Sequence, residues 1–236
     1  MSDTFYQGIF GNNRRHSYEK QFYELKGNFY RLDLADGRWF GFIKQEDGRF
    51  KDMGSLGVEI TQIDEQSFEL YYFKTAITEY YHKKYLRIIE DSNGNKIELS
   101  YQDTKNPKIE LLEKIENSSE ASWTFSYDEN ELLKSIEDHV GRVWNFRYDQ
   151  EKYLTTIVFN KELEESYAYE VIERRNLPKQ QLLSLVIDAN ERTKLSFFYN
   201  QKGEVSGYRE DEQAYDYVWH SLEQVKKTNA SGSSII

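Results

Sequence analysis

Apolar and polar residues alternate with a period of two along most of the chain. In the segment "GRVWNFRYD", Trp144, Phe146 and Tyr148 would lie on one face of a strand, while Asn145 and Arg147 would lie on the other. Runs of this kind are separated by Asp, Asn and Gly residues, which favour tight turns. The pattern predicts an all-β fold built from consecutive antiparallel hairpins.

The middle of the chain repeats with a period of 21 residues. Each copy has a first arm Leu-x-x-Ile, a turn, and a second arm in which aromatic and polar residues alternate. The aligned columns of the central copies are Leu112, Leu133 and Leu154; Ile115, Ile136 and Ile157; Trp123 and Trp144; Phe125, Phe146 and Tyr167; Tyr127, Tyr148 and Tyr169; and the acids Asp128, Asp149 and Glu170. A single hairpin is marginally stable in water, so repetition at this period predicts hairpins that add edge to edge into one curved, spiral sheet.

Looser copies flank the central ones. The turn of the type Asp-x-x-Gly-Arg is clearest at Asp138, Gly141 and Arg142. An upstream copy contains Leu86, Ile89, Asp91, Gly94, Ile97, Leu99 and Tyr101, and a downstream copy contains Leu183, Val186, Asp188, Arg192, Leu195, Phe197 and Tyr199. The two glycines are expected to have the positive φ that tight hairpins require. The two prolines, Pro107 and Pro178, fall in the longer intervals between copies, where no ladder hydrogen bond is needed.

The repeats occupy only part of the chain. Residues 1–80 are predicted to form a strand-rich N-terminal region of the same β domain, with hairpin turns at residues 35–38 and 64–66. Residues 81–217 hold about five hairpin repeats. Residues 218–236 are predicted to be a short helix over 218–227, or a disordered tail that is rich in Ser and Gly from residue 228.

Composition narrows the classes of function. The 19 Tyr and 14 Phe residues predict a core built largely from rings. The net charge of −10 opposes binding to nucleic acid or to anionic membranes. The absence of Cys excludes disulfides and thiolate metal sites.

The first residues do not resemble a secretory signal and no apolar run is long enough to span a membrane, so we expect a cytoplasmic protein in the producing cell, or one exported by a dedicated secretion system.

No set of residues has the spacing of a catalytic, cofactor-binding or metal site. Residues 91–95 resemble the start of a calcium loop, but the position where a glutamate ligand would stand is Gln102, and a hairpin turn accounts for the same residues. Pairs of acids are frequent in so acidic a chain and do not by themselves indicate a glycosidase. The histidines are far apart in sequence and show no metal-binding spacing: His16, His82, His139 and His220.

The repeat columns resemble a known family. The segment "IEDHVGRVWNFRYD" (residues 136–149) resembles the tyrosine-aspartate (YD) repeat of the RHS family. "LRIIEDSNGNKIELSYQ" is similar to the first repeat of many RHS proteins, and "GIFGNNRRHSYEKQF" and "RLDLADGRWFGF" are similar to the segment that precedes it. The resemblance implies repeats that wind into a hollow shell. In bacterial polymorphic toxins, including type VI secretion effectors and insecticidal toxin complexes, that shell encloses a toxin, and related repeats occur in teneurins.

The chain departs from the family pattern in several places. It has about five repeats, where an enclosing shell needs many more, and it lacks the family's Asp-Pro-containing core terminus and self-cleavage region. Residues 162–170 have lost the Gly-Arg turn, and Asn200 replaces the acid that usually follows the repeat tyrosine. We therefore expect a fragment, a subunit completed by other chains, or a short relative that fills its own interior.

Three functions remain open. The leading hypothesis is a non-enzymatic structural or encapsulating module of a bacterial toxin delivery system, whose partner is a toxin, another shell segment or a second copy of the chain. The second is an immunity- or chaperone-like protein that grips another chain through open sheet edges, and the acidic charge would favour a basic partner. The third is a carbohydrate-binding module that uses aromatic faces. It requires Trp123 and Trp144 to remain accessible.

Overall fold

The computed structural model describes residues 7–12, 14–104, 106, 109–173, 180–210, 213–219, 225–229 and 234–235. These residues form strands and turns and contain no helix. The chain divides into two compact units, Met1–Val143 and Trp144–Ile236. In each unit the strands pair antiparallel with their neighbours in the chain, which confirms the predicted all-β fold of consecutive hairpins.

The first unit contains fourteen of the described strands. They are β1 (Gln7–Gly8), β2 (Gly11–Asn12), β3 (Gln21–Lys26), β4 (Phe29–Asp33), β5 (Trp39–Lys44), β6 (Phe50–Asp52), β7 (Val58–Gln62), β8 (Ser67–Tyr72), β9 (Ile77–His82), β10 (Tyr85–Glu90), β11 (Lys96–Asp103), β12 (Glu110–Asn117), β13 (Ser122–Tyr127) and β14 (Leu133–Asp138). The first two pair with each other, and β3 to β6 and β7 to β14 pair in chain order.

Backbone contacts join the N-terminal segments of this unit to the repeats. Tyr85 in β10 pairs with Gln21 in β3, beside a hydrogen bond of 2.9 Å from the Phe22 amide to the Lys84 carbonyl. The Leu133 amide donates to the Ile9 carbonyl over 2.8 Å. The N-terminal region and the repeats therefore share backbone hydrogen bonds within the first unit.

The core of the first unit contains a cluster of aromatic rings, as the composition predicts. The Phe22 ring lies 5.0 Å from the Phe68 ring, and Tyr30 lies 5.0 Å from Phe50. The side chains of Phe22 and Phe42 have no exposed surface. Complete burial of a ring of this size contributes about 1.5–3 kcal/mol, so this cluster is a major source of stability in the unit.

The second unit continues the same hairpin pattern. Its described strands are β15 (Val143–Tyr148), which begins at the last residue of the first unit, β16 (Leu154–Phe159), β17 (Glu162–Ile172), β18 (Gln180–Asp188), β19 (Thr193–Tyr199), β20 (Val205–Glu210), β21 (Gln213–Trp219), β22 (Val225–Asn229) and β23 (Ser234–Ile235). Each pairs antiparallel with the next. Ring contacts at 4.9 Å between Trp144 and Phe159 and at 4.7 Å between Tyr208 and Tyr215 accompany this pairing.

The structure corrects the expectation of a short helix over residues 218–227. Where this segment is described, it is strand: β21 extends to Trp219 and β22 begins at Val225. The physical reason lies in the sequence, because Tyr215, Tyr217 and Trp219 alternate with a period of two, which suits a strand and not a helix. Part of the predicted tail also pairs, as β23. The boundaries near residues 80 and 217 stay predictions.

The lost Gly-Arg turn is replaced by a tighter one. Phe159 pairs directly with Glu162, so the loop between β16 and β17 has two residues, Asn160 and Lys161. Their φ angles are 43° and 76°, the positive values that a two-residue hairpin turn requires. Pro107 and Pro178 lie outside the described residues. Within the described part of the chain, no helix has the length and apolar character that crossing a bilayer demands.

Candidate functional site

Each Leu-x-x-Ile arm contains a β-bulge. Tyr101 pairs with Leu112 and Ser100 pairs with Lys114, so Glu113 is an extra residue in β12. Without the bulge, two residues three apart in a strand would point to opposite faces. The extra residue brings Leu112 and Ile115 to the same face. The same shift follows the first residue of the other arms, with Arg87, Lys134, Thr155, Ser184 and Ser206 as the extra residues.

The bulges align the predicted columns across neighbouring strands. Pairs that face each other include Phe125 with Ile136 and Phe146 with Ile157. The remaining pairs of column residues are Tyr127 with Leu133, Tyr148 with Leu154, Tyr167 with Val186, Tyr169 with Leu183, and Phe197 with Tyr208. Leucine of one repeat therefore meets tyrosine of the preceding one.

The repeat tyrosines also bond back to their own repeat. The Tyr101 hydroxyl donates to the Leu86 carbonyl at 2.9 Å, and the Tyr127 hydroxyl donates to the Leu112 carbonyl at 2.6 Å. In the second unit, Tyr169 donates to Leu154 at 2.7 Å and Tyr199 donates to Leu183 at 2.6 Å. Each of these tyrosines thus links its own strand to two others. The hydroxyl bonds to the preceding strand, and the backbone pairs with the following strand.

The surroundings of these hydrogen bonds are mostly apolar. Leu86, Leu112 and Leu154 expose 2% of their surface or less. Burial raises the pKa of Tyr101 well above its ordinary value, and burial also raises the pKa of Tyr199. The hydroxyls of Tyr101 and Tyr199 therefore remain protonated and act as donors at any physiological pH.

The acids of the repeat form the turns. Asp138 Oδ1 accepts hydrogen bonds from the amides of Val140 and Arg142, at 3.1 Å and 2.9 Å, and Asp138 Oδ2 accepts one from Arg142 Nε at 2.6 Å. Gly141 has a φ of 81°, and Gly94 in the corresponding turn has 82°, as predicted. Accepting hydrogen bonds from backbone amides is the usual role of an Asp side chain in such turns.

The acids that follow Tyr127 and Tyr148 do the same, and Asp149 Oδ1 accepts from the amides of Glu151 and Tyr153. Asp128 Oδ1 accepts from the amides of Asn130 and Leu132. Asn200, which departs from the family pattern, accepts from the amides of Lys202 and Glu204 at 2.9 Å and 3.1 Å. Its amide oxygen replaces a carboxylate oxygen in the same geometry, so the substitution preserves the turn.

The segment that resembles a calcium loop is one of these turns. Asp91 Oδ1 accepts from the amides of Asn93 and Asn95, and Asp91 Oδ2 accepts from the side-chain amide of Asn95 at 2.8 Å. These bonds, those of the Asn95 side chain first, lower the pKa of Asp91. Both carboxylate oxygens therefore serve the hairpin. Among the described residues, no group of three His, Cys, Asp or Glu side chains is arranged to hold a metal ion.

A buried carboxylate lies in β9. Glu79 exposes 3% of its surface and accepts hydrogen bonds from the hydroxyls of Tyr72 at 2.9 Å and Tyr81 at 2.7 Å. It also forms an ion pair with Lys20. Burial, and after it the charge of Glu79, raises the pKa of both tyrosines well above the ordinary value. Three donors satisfy this carboxylate, as a structural buried acid requires.

A second titratable pair lies in the N-terminal segment. His16 Nε2 and Glu19 Oε2 are 3.9 Å apart, and both side chains are 13% exposed. Burial lowers the pKa of His16 to about 4 and raises the pKa of Glu19 to about 7. Glu19 Oε2 and His16 Nδ1 have no hydrogen-bond partner among the residues that the structure describes. Burial is therefore the main influence on both groups.

One cavity of the first unit combines aromatic and polar side chains. Its volume is about 410 Å³, and it lies where the β10–β11 turn and the β12–β13 turn meet the Tyr18 side chain. The lining residues are Tyr18, Ile77, Ile89, Asp91, Asn95, Lys96, Ile97, Ile115, Asn117, Ser118, Ser119 and Trp123. This size falls within the range of small-molecule sites.

The cavity gathers only some of the residues selected from the sequence. Ile89, Asp91, Ile97, Ile115 and Trp123 are repeat positions that line it. The leucine and tyrosine columns lie in the sheet and do not line it. Sequence reasoning missed Tyr18, Ile77, Lys96 and residues 117–119, because they belong to separate segments that only the fold brings together. Trp123 and Trp144 are both half-buried, so the accessibility that the carbohydrate hypothesis requires is retained in part.

Comparisons with known proteins assign no family. No protein-family model matches the chain, and no curated protein matches it. Among solved structures, a chain of the TcdB2-TccC3-Cdc42 crystal structure is similar over 88% of this chain, with 9% sequence identity and a TM-score of 0.44. This chain spans 14% of that one. A porin-like protein from Bacteroides uniformis is similar over 91% of this chain and 96% of its own, with 10% identity and a TM-score of 0.31. These likenesses are too loose to carry an argument about function.

Proposed function

We propose that this chain is a non-enzymatic structural module of the RHS, or YD-repeat, type that forms part of a protein shell in a bacterial toxin delivery system. The observation that carries the proposal is the hydrogen bond from the repeat tyrosine to the leucine carbonyl, which occurs in four copies: Tyr101 to Leu86, Tyr127 to Leu112, Tyr169 to Leu154 and Tyr199 to Leu183. The two columns that define the sequence repeat thus have a physical link.

This link suits a sheet that grows by addition of hairpins. Tyr127 bonds to Leu112 in the strand before it and pairs with Leu133 in the strand after it. Each hairpin is therefore fixed to its neighbours on both sides. In repeat architectures, stability comes from such nearest-neighbour interfaces and the number of units sets the size of the assembly. A short array would then be completed by further repeats, in the same chain or in another.

The placement of the acids supports a structural role. Asp138 and Asp91 use their carboxylate oxygens to cap turns. Glu79 accepts from two tyrosine hydroxyls and pairs with Lys20. Groups that could otherwise act as acids, bases or ligands are engaged in holding the hairpins together.

A protein partner is part of the proposal. Large apolar side chains are exposed in the N-terminal region, among them Trp39 at 54%, Met53 at 58% and Phe73 at 59%. Exposed apolar groups of this size favour contact with another protein surface. The net charge of −10 favours a partner with basic character. We propose that the partner is a toxin, another shell segment or a second copy of the chain.

The test is size-exclusion chromatography with light scattering, on the chain alone and after co-expression with the proteins of the flanking genes. A complex of defined stoichiometry that protects the partner from added protease is expected for a shell piece. A complex that inhibits a partner toxin without protecting it from protease would favour the immunity-like alternative. A monomer that forms no complex with the proteins of the flanking genes would overturn the proposal.

A further inference from the structure

The cavity of the first unit has an aromatic wall and a polar rim. Trp123 in β13 and Tyr18 in the N-terminal segment contribute the rings, and Ile89, Ile97 and Ile115 contribute the apolar floor. Trp123 is half-buried, so part of its ring remains accessible. A flat aromatic surface beside an apolar floor suits the C–H face of a sugar ring, which is apolar although its edge is polar.

Two side-chain amides of the polar rim, Asn95 and Asn117, each have a hydrogen-bonding group that no described residue engages. The side-chain oxygen of Asn117 accepts from the amides of Ser119 and Ala121, which leaves its NH₂ group to donate. The side-chain NH₂ of Asn95 donates to Asp91, which leaves its oxygen to accept. The two amides therefore present one donor group, the Asn117 NH₂, and one acceptor group, the Asn95 oxygen, which matches a pair of sugar hydroxyls.

We propose that this cavity is a binding site for one end of a neutral oligosaccharide, with Trp123 as the stacking platform and Asn95 and Asn117 as the hydroxyl-binding groups. This inference stands independently of the proposed shell role. A volume of about 410 Å³ accommodates one or two hexose units.

Charge selects a neutral ligand over an anionic one. The Asp91 carboxylate lies in the lining, and hydrogen bonds that lower its pKa keep it ionised. The one cationic side chain in the lining, Lys96, lies 3.4 Å from the Glu90 carboxylate and is partly neutralised by it. With a net charge of −10, the protein would repel sulfated or uronic acid glycans.

The experiment is a titration of the full chain with cellobiose, maltose, lactose and chitobiose, followed by saturation-transfer difference NMR and by tryptophan fluorescence. Three variants are compared. Trp123→Ala removes the platform, and Ser119→Trp fills the mouth of the cavity from an exposed position. Trp144→Ala is the matched control, because Trp144 is the equivalent residue of the next repeat and does not line the cavity.

We expect at least one probe to bind saturably with a dissociation constant on the order of 1 mM, and to bind about 10-fold or more weakly to both Trp123→Ala and Ser119→Trp. Trp144→Ala should bind as the parent chain does. Since Ser119 is exposed, its variant keeps the test valid if Trp123→Ala does not fold. Three results would overturn the proposal: no binding of the four probes up to about 10 mM, equal binding by the Ser119→Trp variant, or equal weakening in Trp144→Ala.

Discussion

The Tyr127 hydroxyl donates a hydrogen bond of 2.6 Å to the carbonyl oxygen of Leu112, fifteen residues earlier in the chain. Tyr127 also pairs through its backbone with Leu133 on the opposite side. The aromatic column is therefore more than an apolar filling between strands. Its polar end connects consecutive hairpins, which explains why the repeat contains tyrosine at this position, whereas the column two residues before it includes Phe125 and Phe146.

The first prediction removes this hydroxyl. Tyr127→Phe keeps the ring and leaves the Leu112 carbonyl without its donor, in a leucine that is 2% exposed. Loss of a buried hydrogen bond with an unsatisfied acceptor costs about 1–3 kcal/mol. We expect the free energy of unfolding to fall by that amount, measured by urea denaturation of the whole chain.

A matched control is Tyr80→Phe. The Tyr80 hydroxyl lies 3.5 Å from the Glu90 carboxylate, at the limit of hydrogen bonding. This substitution should change the stability by less than about 0.5 kcal/mol. If Tyr127→Phe is no more destabilising than Tyr80→Phe, the hydroxyl does not couple the hairpins.

The second prediction concerns backbone strain in the turns. Gly141 has a φ of 81° and Glu191, at the equivalent position of another turn, has 61°. No atom lies within 4 Å of a Cβ placed on Gly141, so the Gly141→Ala variant suffers from backbone strain alone. It should lose about 1–2 kcal/mol, whereas Glu191→Gly should be neutral or stabilising by up to about 1 kcal/mol. Thermal unfolding of both variants measures this, and destabilisation by both would contradict it.

The strand pattern and the turns could be read from the sequence because each depends on neighbouring residues. Alternation in "WNFRY" gives β15, and Asp-x-x-Gly gives the turn at Asp138. The bulges could have been inferred as well. Leu112 and Ile115 are three residues apart, and in a regular strand such residues face opposite sides. Since the leucine column and the isoleucine column are both apolar, both should face the core. A bulge with one extra residue between them is therefore required.

The cavity and the buried charge could not be read from the sequence. Tyr18 and Trp123 are separated by more than a hundred residues, and only the pairing of β3 with β10 and the packing of the N-terminal segment explain how such distant parts meet. Glu79 occupies an ordinary alternating position of β9. Its burial depends on Lys20 and on two tyrosine hydroxyls, and no local pattern identifies these partners.

The third prediction tests that buried charge. Glu79→Ala removes the acceptor of two tyrosine hydroxyls and the counter-ion of Lys20, whose side chain is 24% exposed. Removal of one member of a buried ion pair costs about 3–5 kcal/mol. We expect a large drop in the urea midpoint. Glu129→Ala, at an exposed turn position, is the control and should change stability by less than about 0.5 kcal/mol. An equal, small effect of both would show that the network is not stabilising.

The fourth prediction concerns acid. The pKa of Asp91, Asp138 and Asp188 is lowered from the ordinary value of 3.8. Hydrogen bonds of the Asn95 side chain and backbone lower it at Asp91, and the Arg192 amide does so at Asp188. At Asp138 burial acts to raise the pKa, and the bonds from Arg142 and Val140 outweigh it.

A carboxyl group with a lowered native pKa stabilises the fold above its unfolded pKa and loses that effect as the pH falls through the native pKa. Unfolding midpoints in urea should therefore decrease as the pH is taken below about 4. Asp188→Asn keeps an acceptor for the amides and should show a weaker decrease. A urea midpoint that stays constant between about pH 5 and about pH 2.5 would contradict the stabilising role of the ionised Asp side chains in these turns.

The last prediction is a pH-dependent gain of stability from Glu19→Gln. Burial raises the pKa of Glu19 to about 7 from the ordinary 4.5, so its ionised form is disfavoured in the folded state. A raised native pKa gives a contribution that is fully present below the unfolded pKa and is lost as the pH rises through the native pKa. The parent chain therefore loses stability between about pH 4.5 and pH 7 through this group, and glutamine does not. We expect the free energy of unfolding of Glu19→Gln to exceed that of the parent chain by up to about 3 kcal/mol at pH 8 and by little at pH 4.5. Burial lowers the pKa of His16, 3.9 Å away, to about 4, so at pH 8 this imidazole is neutral and does not offset the Glu19 charge. Urea denaturation at the two pH values measures the gain, and an equal effect at both would mean that the Glu19 carboxyl group ionises in the folded chain as it does in water.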